Sequence, residues 1–446
     1  MASSKCNVGF IGLGAMGFGM ATHLVKAGYP VNGFDVWAPT LERFVAAGGK
    51  AASTPRAAAK NAPVLIVMVA TGAQAMVALF DPDTGAVLDL EKNATIIHCS
   101  TTPPEHVPEM RRLLDQHGRQ DVELVDAPVS GGTIRAAAGT LTILASGPES
   151  SLKAGNELLE EMAGGNLYII PGGLGAGTKV KMVHQVLAGI HITMASEAMG
   201  FAAALGLNTR KAYEALKEDL AGSWMLANRG PHMLENDPTV YSALNIIGKD
   251  MGIVCTSGRM EKFPLFLSSA SEQVISTGVR AGLGLIDDAQ LTRVYLSQES
   301  DLVLKQAADS YNSEDFDTKL QLVKQVLIGV HTVAAVEAMS FGVKVGLDTK
   351  TMYDIIKGAA GSSGIFVDRV PMILSGKWES KKTVGKALDE LSEALEYAAK
   401  IKYPLHLGGT ALQIFHMAAQ QGLAEEPDVA IVKIWDGASG AYFPRA

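Results

Sequence analysis

The chain of 446 residues is poor in cysteine and carries no excess of positive charge. Its three cysteines, Cys6, Cys99 and Cys255, have neither paired nor metal-ligand spacing. That spacing argues against a disulfide framework or a metal site, and it predicts free thiols in a reducing compartment, the cytoplasm. The formal net charge is −8, with lysine and arginine scattered along the chain. This charge argues against nucleic acid or an anionic membrane as the main partner.

A secretory leader and an uninterrupted membrane span are also missing from the sequence. Residues 1–12 lack the basic region followed by an apolar run that a secretory signal needs. Residues 186–206 approach the ~20 residues that span a bilayer. However, His191 and Glu197 lie within them and would be costly in lipid. We therefore expect this segment to be a buried helix of a soluble protein.

The first part of the chain alternates short apolar runs with segments of helical spacing. The runs are rich in β-branched residues and predict strands at 7–12, 29–35, 62–70, 94–100, 122–129, 141–147 and 167–173. Helices are predicted between the earlier strands at 15–28, 40–49, 73–80 and 104–118. Continuous apolar strands that alternate with helices indicate a parallel sheet covered on both faces, the α/β Rossmann-like, doubly wound arrangement.

From Thr178 onward the strand signal nearly vanishes, and a long helical segment occurs twice. Residues 178–210 and 318–350 share 16 identical residues in 33 positions aligned without a gap, at an offset of 140. The match continues at this offset as far as Asp288 and Asp428. We therefore predict two related all-α domains after the α/β domain, because the chain is too long for one core. The predicted domains are 1–172, 173–313 and 314–446, with a glycine-rich hinge at 171–177.

The segment between the first predicted strand and helix is a candidate phosphate cradle, Gly12-Leu13-Gly14-Ala15-Met16-Gly17. In this context the three glycines permit a tight turn, close approach of a pyrophosphate and close helix–strand packing. The helix N-terminus attracts the phosphates. Asp35 ends the next strand and can accept hydrogen bonds from both ribose hydroxyls, while its charge repels the extra phosphate of NADP. We predict an NAD site; the alternative is a structural glycine turn.

Two further motifs are ambiguous when they are interpreted from the residues alone. Ser130, Gly131 and Gly132 follow a predicted strand and offer a hydroxyl and two backbone N–H groups to a carboxylate, but a simple turn explains them equally well. Lys181 and His184 lie on one face of the first long helix, beside its apolar stripe. A partly desolvated lysine there can exchange a proton with a substrate hydroxyl. A solvated lysine in the first turns is the more common case.

Three segments, taken in order, resemble the β-hydroxyacid dehydrogenases, the family of 3-hydroxyisobutyrate dehydrogenase. They read GFIGLGAMG, DAPVSGGTIRAAAGTL and GAGTKVKMVH. The resemblance implies that Lys181 is the catalytic general acid/base and that Ser130, Gly131 and Gly132 bind the substrate. At position 184 this chain has His where most members have Asn. That feature resembles the L-threonate dehydrogenase branch, which acts on four-carbon sugar acids.

The same resemblance assigns further positions to the cofactor and substrate. Thr101 matches a threonine near the nicotinamide ribose, and Lys249 matches a second lysine that contacts both cofactor and substrate, with Asp250 beside it. His184 and Lys249 join the predicted substrate-binding set. The full predicted cofactor-binding set is Gly12, Leu13, Gly14, Ala15, Met16, Gly17, Asp35, Val69, Thr101, Lys249 and Asp250. No metal is predicted.

The second helical copy keeps the packing residues and loses the polar ones. Its counterparts of Lys181, Lys249 and Asp250 are Gln321, Asp389 and Glu390. Single-copy members of the family pair through their helical domains. We therefore expect the second copy to stand in for a partner subunit, which makes the chain a monomer with an internal pseudo-dimer, or a homodimer.

Alternatives to a four-carbon sugar acid remain open at this point. Within the enzyme class they are 3-hydroxyisobutyrate dehydrogenase and glyoxylate or succinic semialdehyde reductase. A decarboxylase of the 6-phosphogluconate type is disfavoured because no arginine cluster suits a substrate phosphate. Outside enzymes, the chain could be a non-catalytic NAD-binding sensor or scaffold.

Overall fold

The structure, a computed structural model, describes residues 5–380 and 382–435. The chain divides into two compact units between residues 182 and 183. The described part of the first unit contains the strands of the protein. They are β1 Val8–Ile11, β2 Val31–Phe34, β3 Lys50–Ala51, β4 Val64–Val67, β5 Thr95–His98, β6 Glu123–Asp126, β7 Val129–Ser130, β8 Thr142–Ala145 and β9 Leu167–Ile169.

The main sheet of the first unit is parallel throughout its described part, in the order β3-β2-β1-β4-β5-β6. Alternate strand residues bury opposite faces: Phe10 and Ile66 join one apolar cluster, and Ile11 and Leu65 join the other. Helices cover both faces, which confirms the predicted doubly wound fold. The helices and short helical turns of this unit are α1 Ala15–Lys26, α2 Ala38–Ala46, α3 Pro55–Ala59, α4 Gly72–Phe80, a 3-10 turn at Ala86–Leu88, α5 His106–Gln116, α6 Gly132–Ala138 and α7 Glu149–Ala163.

Two features of this unit differ from the sequence-based prediction. The predicted strands at 141–147 and 167–173 do not extend the main sheet. They form a small separate sheet in the order β7-β8-β9, in which β8 is antiparallel to β7 and parallel to β9. Strand β3 was not predicted, because two exposed residues leave no alternating apolar pattern to recognise.

The long helix α8, Ala176–Ala204, continues from the first unit into the second. The described part of the second unit is helical. It contains α9 Thr209–Lys217, α10 Trp224–Leu234, α11 Leu244–Met260, α12 Phe266–Gly278, a π turn at Val279–Leu283, a 3-10 turn at Asp288–Leu291, α13 Thr292–Tyr295, α14 Leu302–Lys305, α15 Phe316–Lys344, α16 Thr349–Ile356, α17 Gly364–Ser375, α18 Val384–Lys400, α19 His406–Gln420 and a 3-10 turn at Asp428–Val432. The predicted duplication therefore appears as two matching helix series, which begin with α8 and α15.

The two copies exchange equivalent contacts inside the helical unit. Buried Glu197 accepts hydrogen bonds from the N–H groups of Leu407 and Gly408, at 3.0 Å each, at the start of α19. Glu337, the copy of Glu197, accepts from the matching pair Leu267 and Ser268, at 2.9 Å each, at the start of α12. His191 and His331, also related by the offset, meet edge to face with ring centroids 4.5 Å apart. Such reciprocity is the signature of an isologous, two-fold interface.

Helices α8 and α15 are long and apolar enough to cross a membrane, but 100% and 89% of their most apolar windows are buried inside the protein. That burial is typical of the core helices of a globular protein and agrees with the expectation for residues 186–206. Length and composition are therefore only weak evidence for a membrane span.

Candidate active site

The glycine-rich cradle in the first unit has the geometry that a dinucleotide requires. Gly12 has φ +94°, and a Cβ there would lie 2.1 Å from the carbonyl oxygen of Met68. A Cβ on Gly17 would lie 1.9 Å from the carbonyl oxygen of Gly12, so helix α1 packs directly on the turn. At Gly14, by contrast, a Cβ would meet no described atom within 4 Å. Two glycines thus close the turn, while the third leaves open space above the backbone.

The start of helix α1 and Asp35 complete this cradle. Gly14 is the N-cap of α1 and supplies no side-chain cap, so the first N–H groups of the helix are directed at the open space. Asp35, at the end of β2, accepts hydrogen bonds from the Leu13 N–H (2.7 Å) and the Trp37 N–H (2.9 Å). Its carboxylate is therefore held in one orientation beside the turn. These residues fit the pyrophosphate and ribose of NAD.

Two other predicted cofactor residues follow neighbouring strands of the same sheet. Val69 comes after β4, and its N–H donates to the Ser100 hydroxyl at 2.8 Å. Thr101 comes after β5. Ligands of open α/β sheets bind outside the carboxyl ends of the strands, and the cradle, Val69 and Thr101 all lie at such ends. The first unit therefore brings its share of the predicted cofactor residues to one edge.

The predicted substrate loop is a glycine turn with positive φ angles, and it lies next to helix α1. Ser130 ends β7, and Gly131 and Gly132, with φ +133° and +72°, lead into α6. At Gly132 a Cβ would meet no described atom within 4 Å, so the backbone is accessible there. On helix α1, a Cβ at Gly19 would lie 2.9 Å from the Ala137 nitrogen. This close approach packs α6 against α1 and fixes the loop relative to the cradle.

Asp126, which the sequence interpretation did not assign to the site, anchors the helix that carries Lys181. Its fully buried carboxylate, at the end of β6, accepts hydrogen bonds from the Thr178 N–H (2.8 Å), the Thr178 hydroxyl (2.6 Å) and the Ser146 hydroxyl (3.1 Å). Burial raises the pKa of Asp126 to about 6, although these hydrogen bonds oppose the shift. An acidic residue at the carboxyl end of a strand was the available signal.

Lys181 lies one turn beyond this anchor and is only 6% exposed. A solvated lysine of the first turns, the more common case for such a residue, does not fit that burial. Asp126 fixes the start of α8, so the Lys181 backbone is fixed relative to strand β6. This burial and anchoring are what a proton-exchanging lysine requires.

The helical unit places His184 in a buried network with Asp250 and Lys249. The His184 Nδ1 lies 2.9 Å from the Gln185 Oε1, and the Gln185 amide nitrogen donates to the Asp250 Oδ2. The Lys249 ammonium lies 3.0 Å from the Asp250 Oδ1 as an ion pair. Apart from this ion pair, the buried Asp250 Oδ1 has no hydrogen-bond partner among the described residues, so it can accept one from a ligand. The structure thus joins three predicted site residues through Gln185, which was not predicted.

The second copy contains different chemistry at the matching positions. Gln321 and Asp389 are exposed. Gln325, the copy of Gln185, donates to Glu393 at 3.0 Å, and Glu390 is paired with Lys382. The counterparts of Lys181 and Lys249 are therefore exposed, whereas Gln325 is buried. The predicted loss of chemistry from this copy stays a prediction.

Comparison with known families agrees with both parts of this site. Residues 7–175 match the NAD binding domain of 6-phosphogluconate dehydrogenase. The helical domain described as "NAD-binding of NADP-dependent 3-hydroxyisobutyrate dehydrogenase" matches twice, at 175–295 and 318–435. The chain belongs to the β-hydroxyacid dehydrogenase family of NAD(P)-dependent oxidoreductases. This confirms the resemblance that the three motifs carried.

Individual proteins and a solved structure are similar to about two thirds of this chain. L-threonate dehydrogenase of Cupriavidus necator is 37% identical over 289 residues, which are 65% of this chain and 96% of the relative. Mouse mitochondrial 3-hydroxyisobutyrate dehydrogenase is 30% identical over 61% of this chain and 82% of its own length. The crystal structure of 3-hydroxyisobutyrate dehydrogenase from Salmonella typhimurium matches with a TM-score of 0.60 at 33% identity, and covers 65% of this chain and 100% of its own. About a third of this chain thus lies outside each match.

Proposed function

We propose that the protein is an NAD-dependent dehydrogenase that oxidises a small hydroxy acid, a four-carbon sugar acid such as L-threonate, with Lys181 as general acid/base. The observation that carries the proposal is the burial of Lys181 near the start of a helix anchored by Asp126. A lysine buried this deeply beside an anchored helix start is a candidate for proton exchange.

In the proposed reaction each residue has one task. The carboxylate of the acid docks on Ser130, Gly131 and Gly132, whose backbone is accessible. The neutral amine of Lys181 takes the hydroxyl proton during oxidation and returns it in the reverse direction. Lys249 neutralises the carboxylate or a cofactor group. NAD, when bound, supplies the hydride acceptor.

The polar network favours a substrate with several hydroxyls over 3-hydroxyisobutyrate. A substrate hydroxyl can donate to the buried Asp250 carboxylate beside Lys249, whereas a methyl group cannot. A site built for a hydroxyl discriminates strongly against an analogue that lacks it. L-threonate dehydrogenases at 32–37% identity support the same choice.

Asp35 supports NAD over NADP as the cofactor. Its carboxylate is fixed by two backbone N–H groups and cannot turn away from a ribose that occupies the cradle. An added 2′-phosphate would face this fixed negative charge. We expect Asp35→Ser to weaken the preference for NAD.

We further propose that the chain acts in the cytoplasm as a monomer with the second copy in the place of a partner subunit. The reciprocal Glu197 and Glu337 contacts support this arrangement, because they use the surface that an isologous partner would use. A homodimer is the alternative, and light scattering of the purified protein distinguishes the two.

The function is tested by following NADH formation with L-threonate, D-erythronate and 3-hydroxyisobutyrate. We expect turnover of a four-carbon acid, and a roughly 10²–10⁴-fold lower kcat in Lys181→Ala, because general acid–base catalysis contributes that much. Lys179→Ala, a half-buried lysine on the same turns, serves as the matched control. Activity with 3-hydroxyisobutyrate alone would reject the sugar acid, and NAD binding without any turnover would favour a sensor or scaffold.

A further inference from the structure

The second helical copy, which has lost the catalytic residues, reaches back to the first copy through one backbone group. The Gly361 N–H, in the loop between α16 and α17, donates to His184 Nε2 at 3.1 Å. A backbone N–H can only donate, so Nε2 of His184 must accept and carry no proton. The neutral ring then carries its proton on Nδ1.

This choice of tautomer sets the direction of the hydrogen bonds that follow. The protonated Nδ1 of His184 donates to the Gln185 Oε1 at 2.9 Å, which fixes the orientation of the Gln185 amide. Its amide nitrogen is then directed at Asp250, whose other oxygen lies 3.0 Å from the Lys249 ammonium. Each donor meets an acceptor along the whole chain of contacts.

We infer that Gly361 is a positioning residue for the first copy: it selects the Nδ1–H tautomer of His184 and, through Gln185 and Asp250, orients Lys249. The inference rests on the proposed dehydrogenase function. It assigns the duplicated copy a task in catalysis beyond packing. It also changes the predicted role of His184, because the protein engages both ring nitrogens, so His184 orients the network and does not itself bind substrate hydroxyls.

The local geometry explains why this position is glycine. A Cβ on residue 361 would lie 3.2 Å from the His184 carbonyl oxygen and from the Leu187 Cβ, and 3.3 Å from the His184 Cδ2. Such contacts are tighter than ordinary packing, so a larger residue would push the loop from the ring. The copy-related residue in the first copy is Ala221. Position 221 accepts a Cβ, so the requirement for glycine is specific to position 361 of this pair.

The contact at the matching position of the second copy is an ion pair. Lys324 occupies the position of His184 in the second copy, and its ammonium pairs with Asp219 of the first copy at 2.7 Å. Both copies thus use this position to contact the other, but only His184 continues into a network of site residues.

The test compares Gly361→Ala with Gly358→Ala in the same loop. Gly358 is exposed, and a Cβ there would meet no described atom within 4 Å, so Gly358→Ala is the matched control. The ¹⁵N chemical shifts of the imidazole, assigned with His184→Asn, report the tautomer without any substrate. We expect the Nδ1–H signature in the wild type and in Gly358→Ala, and its loss in Gly361→Ala. An Nε2–H or doubly protonated ring in the wild type would overturn the inference.

Steady-state kinetics test the link to catalysis. We expect Gly361→Ala to raise KM for the hydroxy acid roughly tenfold, with Gly358→Ala unchanged, because one directional hydrogen bond is lost. Equal kinetics of the two variants would refute the positioning role, whereas a wild type without turnover would refute the proposed function itself and leave the tautomer result standing.

A double variant keeps the test valid where Gly361→Ala folds poorly. In Gly361→Ala/His184→Asn residue 184 has no Nε2, so the hydrogen bond from the residue 361 N–H is absent with either residue at position 361, while the amide of Asn can still donate toward Gln185. We expect the KM of the double variant to equal that of His184→Asn alone, because the two sites are coupled. Additive effects of the two substitutions would contradict the inference.

Discussion

The buried carboxyl group of Glu197 should make the helical unit less stable as the pH rises. Its carboxylate accepts hydrogen bonds from Leu407, Gly408 and Tyr295, at 3.0, 3.0 and 3.1 Å. Burial nevertheless dominates and raises the pKa of Glu197 from 4.5 to about 7. The folded protein therefore holds a proton on this group at pH values where the unfolded chain has released it.

The sign and size of the effect follow from this difference in pKa. Stability from the neutral carboxyl group is fully present below pH 4.5 and is lost as the pH rises through about 7. Between pH 5 and pH 8 the free energy of unfolding should fall by roughly 2–3 kcal/mol through this group. Glu197→Gln removes the titration but keeps the size and one acceptor oxygen. We therefore expect the free energy of unfolding of the variant to gain roughly 2–3 kcal/mol relative to the wild type over that interval.

Urea unfolding followed by tryptophan fluorescence measures this difference, because Trp224, Trp378 and Trp435 all lie in the helical unit. Other titrating groups, such as Asp126, are shared by both proteins and cancel from the comparison. Glu396→Gln, at an exposed carboxyl group on α18, is the control and should track the wild type at each pH. A constant difference between Glu197→Gln and the wild type from pH 5 to pH 8 would refute the reasoning.

Three further predictions concern other parts of the chain. Gly17→Ala should lower the free energy of unfolding of the first unit by about 1–3 kcal/mol, because its Cβ would lie 1.9 Å from a carbonyl oxygen. Gly14→Ala should leave urea unfolding unchanged and weaken NAD binding roughly tenfold. Equal stabilities of the two variants would contradict this prediction. Asp126→Ala should lower the free energy of unfolding by about 3 kcal/mol and lower kcat, because the Thr178 donors at the start of α8 lose their acceptor. An unchanged urea midpoint would show that Asp126 does not anchor α8. Asp288→Ala should lower the free energy of unfolding by about 3–5 kcal/mol, because Asp288 is fully buried and accepts two hydrogen bonds from Arg229, at 2.7 and 2.9 Å. A melting temperature equal to that of the wild type would contradict this prediction.

In the first domain, local features were predicted correctly from the sequence and long-range strand pairing was not. Each predicted strand of the first domain is present, and its helices begin within about two residues of the predicted positions, because alternation, helical spacing and glycine turns are local signals. The second small sheet was not foreseen, because strand pairing is a long-range choice. The cradle has the predicted geometry: close backbone contacts require Gly12 and Gly17, and Gly14 leaves the backbone open.

Among the site residues, too, those within a sequence motif were recognised and those defined by long-range contacts were missed. Lys181 and Ser130 were recognised from motifs, and their roles remain predictions for the experiments above. Asp126 was missed although its place at the carboxyl end of a strand was a usable signal. Gln185 was missed because nothing in its immediate surroundings distinguishes it from an ordinary buried polar residue. The burial of Lys181, which separates a site lysine from a solvated one, cannot be read from a pattern of neighbours.

The sequence by itself determined the α/β domain, the nucleotide turn, the duplication and the loss of polar residues from the second copy. These properties depend on spacing within short segments or on comparison of the chain with itself. Tertiary structure alone decided which groups meet: Asp126 and Thr178 are 52 residues apart, and Gly361 and His184 are 177 apart. A hydrogen bond is specified by the positions of two groups in space, and folding brings together groups that no local pattern connects.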